Sequence, residues 1–108
     1  MIATYATIPE IYTKYDSTNY MINFNVVEIT VKGQDEEDII QYQAEYILVP
    51  ALDKETIVNG LIRRNYSLSE ELAILRQRDS KSDEFAEYNA FAEECKSLAN
   101  EILEKIND

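Results

Sequence analysis

The sequence predicts an α+β fold: an N-terminal antiparallel β-hairpin or small sheet, followed by two short helices and one long C-terminal helix. Three observations carry that expectation. Apolar and polar residues alternate between Tyr20 and Val49, which is the period of strands. Apolar residues recur every three or four positions between Asp53 and Ile106, which is the period of helices, and the change falls near Pro50. At 108 residues the chain is the length of one ordinary domain, with a β-rich half over 1–52 and a helical half over 53–108.

The first twenty residues read two ways. Tyr5, Ile8, Tyr12 and Tyr15 have helical spacing and Pro9 suits a first helical turn, whereas Thr4, Tyr5, Thr7 and Ile8 favour a strand; a strand or extended arm is expected. From Tyr20 to Lys32, Ile22, Phe24 and Val26 share one face, and then Val27, Ile29 and Val31 take up the pattern one residue out of phase. Such a slip predicts a β-bulge, or a strand buried on both faces near its middle. Ile40, Tyr42, Ala44, Tyr46 and Leu48 alternate with Gln41, Gln43 and Glu45, and the polar run Gly33 to Asp38 between the two stretches supplies a turn. Two long strands in an antiparallel hairpin follow.

Beyond Pro50, Asp53 can cap a helix whose apolar side holds Ile57, Val58, Leu61 and Ile62, weakened by Gly60 and ending near Arg63, Arg64 and Asn65. Ser67-Leu68-Ser69-Glu70 has the form of a capping box, and Leu68, Leu72 and Leu75 give the next helix a short apolar stripe up to Arg78. After a loop at 79–82, Ser82 is placed to cap a third helix with Asp83 and Glu84 in its first turn. Phe85, Tyr88, Ala92, Cys95, Ala99, Ile102 and Ile106 then repeat at 3-4 spacing as a heptad seam, widened by Phe91 and Leu98. A helix of this length reaches nearly 40 Å at ~1.5 Å per residue, more than a hairpin and two short helices readily cover. Those seven seam residues are therefore the candidate interface, either to a second copy or to the chain's own core.

Composition narrows the chemistry. The chain is 45% hydrophobic and 29% charged with 2 Gly and 2 Pro, the balance of a folding globular protein. With no histidine, the commonest general base and metal ligand is missing. One cysteine permits no intramolecular disulfide and no cysteine metal cluster, which suits a reducing compartment. The net charge of −11 disfavours direct contact with nucleic acid or an anionic membrane. No apolar stretch reaches the ~18 residues of a membrane span, and no secretory signal is apparent at the start. The cytoplasm, or a particle assembled in it, is the expected location.

Each chemical candidate has a plainer structural reading beside it. Asp35-Glu36-Glu37-Asp38 lacks the alternating carboxylates and glycine of a calcium loop and reads as a solvated hairpin tip. Cys95, with no cation near it in sequence, reads as a buried thiol. The 8 tyrosines divide: Tyr42 and Tyr46 lie on an apolar strand face, while Tyr5, Tyr12 and Tyr15 suit core or interface equally. Arg63, Arg64, Arg76 and Arg78, around Tyr66, form a solvated face or a contact for an acidic partner. Glu87, Glu94, Glu101 and Asp108 make an acidic stripe, one carboxylate per ~10.5 Å of helix, which is sparse beside duplex phosphates.

The stretch Tyr66 to Arg78, with Asp79, Lys81, Glu84-Phe85, Tyr88-Asn89-Ala90-Phe91 and Glu94-Cys95-Lys96, resembles the C-terminal helical element of small uncharacterised proteins encoded by phages and prophages of Bacteroides-type bacteria. The likeness spans about residues 40–100 and carries over no functional residues. It implies a small structural or accessory protein among virion-assembly genes. The expectation is a non-catalytic interaction or assembly protein without cofactor or metal, forming homo-oligomers or binding other phage or host proteins. The alternative is an acidic inhibitor that imitates nucleic acid on a basic host protein.

Overall fold

A computed structural model describes residues 1–107. The architecture is α+β, and the chain divides into two compact units, Met1–Pro50 and the residues from Ala51 on.

The first unit is a sheet of four strands, β1 (Ile2–Tyr5), β2 (Tyr12–Lys14), β3 (Tyr20–Lys32) and β4 (Asp38–Val49), in the order β1-β4-β3-β2 with every neighbouring pair antiparallel. The long β3–β4 hairpin is the predicted one. The N-terminal segment supplies both flanking strands, its strand propensity prevailing over its helical spacing. Because β1 and β2 lie on opposite edges, residues 6–11 carry the chain across the sheet. Asn23 holds that crossing in place: its side-chain amide donates to the Glu10 carbonyl at 2.9 Å, its Oδ1 accepts from the Tyr5 hydroxyl at 2.8 Å, and its backbone N–H donates to Ile11 O at 2.8 Å. Asn23 itself is buried, only 3% exposed, between partners that are half-buried or exposed.

The phase slip in β3 is a bulge. Pairing passes from Phe24 opposite Glu45 to Val27 opposite Gln43, so Asn25 and Val26 together face Ala44. Asn25 takes a left-handed φ of 52°, which asparagine tolerates better than most residues, and its side-chain amide donates to Glu45 Oε2 at 2.7 Å. The extra residue returns Val27, Ile29 and Val31 to the face that carries Ile22 and Phe24. The sheet core consists of Ile22, Phe24, Ala44, Ile47 and Val49. Ile47 and Val49 lie on the opposite face from the Ile40 to Leu48 stripe, so this end of β4 is buried on one face and, at Tyr46 and Leu48, half-buried on the other. At the tip, Gly33 N–H donates to Glu37 O at 3.0 Å, Glu36 turns through a φ of 59°, and Lys32 pairs with Asp38.

The second unit holds α1 (Lys54–Ile62), α2 (Leu68–Arg76) and α3 (Ser82–Ile106). Asp53 caps α1, accepting the Thr56 N–H at 2.8 Å, and Ser67 with Glu70 forms the complete capping box of α2. Ser82 does not cap α3: it is the first helical residue, Lys81 occupies the cap position, and no side chain bonds the free N–H groups there. Asp83 and Glu84 in the first turn still complement the helix dipole. Ile57, Leu61 and Ile62 of α1 form the core of this unit with Tyr88, Ala92, Cys95, Ala99 and Ile102 of α3. Among the described residues, no helix is long and apolar enough to cross a membrane.

Candidate interaction site

The seam of α3 is filled within one chain. Of its seven residues, Tyr88, Ala92, Cys95, Ala99 and Ile102 are buried, while Phe85 and Ile106 near the two ends are half-buried. Nothing is left of the stripe's centre to present to a second molecule. Small residues at 92, 95 and 99 allow close approach of a neighbouring helix, and α1 supplies it.

Polar chemistry in the helical unit gathers around Tyr88. Glu71, on α2, accepts hydrogen bonds from the Tyr88 hydroxyl and, at 2.6 Å, from the Arg63 guanidinium, which also donates to the Tyr66 carbonyl at 3.0 Å. Tyr66 stacks edge-on against Tyr88 at 5.3 Å and tilts against Phe91 at 5.8 Å. Burial opposes charge on Glu71, but the Tyr88 hydroxyl and Arg63 outweigh it and hold the carboxyl below its ordinary value. Burial and the adjacent Glu71 carboxylate push the Tyr88 phenol up to about 12. The cluster is a structural network in which both Glu71 carboxylate oxygens are engaged, one by Arg63 and one by Tyr88.

Cys95 has a cation beside it that its sequence neighbours do not disclose. Arg64, from the end of α1, places Nη2 4.0 Å from the thiol sulfur and lies over the Phe91 ring. Burial still dominates and pushes the thiol up, with Arg64 offsetting only part of that effect. The predicted basic group is thus divided: Arg63 and Arg64 are engaged inside the unit, and Arg76 and Arg78 are exposed. Glu87, Glu94 and Glu101 are exposed on α3, and Asp108 lies outside the described residues. Asp35 to Asp38 form the exposed hairpin tip. Among the described residues, no group of three or more acidic or thiol side chains is arranged to hold a metal.

Accessible apolar surface and unpaired backbone coincide at the distal half of the β3–β4 hairpin. β2 pairs with β3 only over Tyr20–Ile22, and β1 pairs with β4 only over Tyr42–Glu45, so among the described residues, 27–32 and 38–41 form a ribbon of two strands with no third strand on either edge. Val27 and Ile40 are each 51% exposed, and Val26 and Ile39 are exposed beside them. The alternation of the ladder fixes which backbone groups face outward. Asn23 N–H points to β2 and Gly33 N–H points across the hairpin. Beyond the bulge, Val27, Ile29 and Val31 therefore bond toward β4, while Glu28, Thr30 and Lys32 direct their N–H and C=O groups out of the sheet. α2 exposes a second apolar stripe, Leu68, Leu72 and Leu75. The edge residues Val27 to Lys32 and Ile39 to Gln41 were not among the sequence candidates, because which edge stays open depends on pairing rather than on residue type.

The chain matches no known family model, and neither a curated protein nor a solved structure is significantly similar to it.

Proposed function

We propose that the protein is a non-catalytic interaction module that joins an assembly through the distal half of its β3–β4 hairpin, a role in keeping with its resemblance to phage-encoded proteins. One observation carries this reading: among the described residues, the outward N–H and C=O groups of Glu28, Thr30 and Lys32 have no strand beside them, next to exposed Val27, Ile39 and Ile40. Ribbons of two strands are marginally stable in water, and an added strand supplies main-chain hydrogen bonds along with a partner for the apolar face. Open edges of this kind are ordinarily short, bulged or covered. The internally bonded Glu71–Tyr88 pair and buried Cys95 leave the helical unit a scaffold in this reading.

The test places a photo-crosslinking residue at Ile40 in cells that carry the gene. Discrete protein adducts that disappear when Val27 and Ile29 are changed to Lys support the reading. Adducts unaffected by those changes, or none at all, contradict it.

A further inference from the structure

Resting on that reading, we infer that the strand added to β3 is β3 of a second copy, antiparallel about a two-fold axis at Thr30. Charge complementarity selects this occupant. The free edge reads Val27-Glu28-Ile29-Thr30-Val31-Lys32, and an axis at Thr30 sets Glu28 opposite the other copy's Lys32, Ile29 opposite Val31, and Thr30 opposite itself. Both ion pairs form at once, because an isologous contact uses each residue twice.

The backbone agrees with the side chains. Glu28, Thr30 and Lys32 direct their main-chain groups outward, so they become the bonded pairs of the new ladder. Val27, Ile29 and Val31 of both copies then share one face and double the apolar stripe. Opposite charges, Thr–Thr pairs and apolar pairs directly across a ladder are each favourable contacts. Shifting the axis by one residue breaks the match, since Glu28 then faces Thr30 or Gln34. The β4 edge is a poorer choice: only Asp38 and Ile40 face outward there before β1 takes over at Tyr42. A single edge contact is small, so the association is weak and concentration-dependent.

A charge-exchange experiment on the full chain tests this register. One variant carries Glu28→Lys. The other carries Lys32→Glu together with Asp38→Lys, so that the pair across the hairpin is reversed rather than lost. By sedimentation velocity the wild type self-associates as concentration rises, and each variant alone associates about ten-fold more weakly, with like charges opposed twice at the contact. An equimolar mixture recovers association to within about two-fold of wild type, because both pairs are then of opposite sign.

A mixture no stronger than its components, each variant folded by circular dichroism, overturns the Thr30 axis. A wild type that remains monomeric at millimolar concentration overturns self-pairing altogether. If Ile40 adducts then contain a different protein, the docking role of the hairpin survives and the identity of its occupant does not. A wild type that gives neither adducts nor self-association contradicts both.

Discussion

Replacing Asn23 with alanine removes two side-chain hydrogen bonds at a buried residue, leaving the Tyr5 hydroxyl and the Glu10 carbonyl without their partner. Buried groups left unpaired cost about 1–3 kcal/mol each, so Asn23→Ala is expected to lower stability by about 3 kcal/mol in urea unfolding. Tyr5→Phe deletes only one bond and is expected to cost about 1 kcal/mol. A second prediction concerns pH. The Tyr88 phenol is raised from its ordinary 10.0 to about 12, so the native state holds that proton more tightly than the unfolded chain. Stability from this group is complete below about pH 10 and is lost as pH rises toward 12. Glu71 is shifted the other way: its contribution is present above the ordinary value of 4.5 and disappears as pH falls through its lowered native value. Thermal midpoints against pH should show both limbs, and Tyr88→Phe should flatten the alkaline one.

Helix α3 is where the sequence pattern was most regular and where its meaning shifted. The heptad spacing correctly marks one continuous apolar stripe, but Ala92, Cys95 and Ala99 are small enough to admit a helix of the same chain, and five of the seven seam residues are buried without a second molecule. Ala99→Glu therefore forces a charge into a filled core. It is expected to unfold the helical unit, by loss of helical circular dichroism, whereas Glu101→Lys leaves the melting temperature within about 2 °C. The capping box of α2 and the Asp53 cap were legible because their partners lie three residues away. The bulge was legible because a period-2 pattern has to slip where an extra residue enters. Asn23 was not: in an alternating strand a polar residue reads as outward-facing, and only contacts 13 and 18 residues distant bring it inside. The approach of Arg64 to Cys95, across 31 residues, was hidden for the same reason.

For the molecule as a whole, function turns on which surfaces the fold leaves unfinished. The sheet's flanking strands stop short of the hairpin's distal half, and that shortfall exposes both main-chain groups and branched apolar side chains on one ribbon. The net charge of −11 opposes indiscriminate association, which makes a contact with locally matched charges on an otherwise repulsive surface selective. Amide hydrogen exchange measured by NMR on the full-length wild type, at low and high protein concentration, tests this most directly. The Val27, Ile29 and Val31 amides are expected to be protected at both concentrations, and the Glu28, Thr30 and Lys32 amides to exchange freely when dilute and become protected when concentrated. Free exchange of the latter three at the highest concentration, or their protection in the dilute monomer, would contradict it.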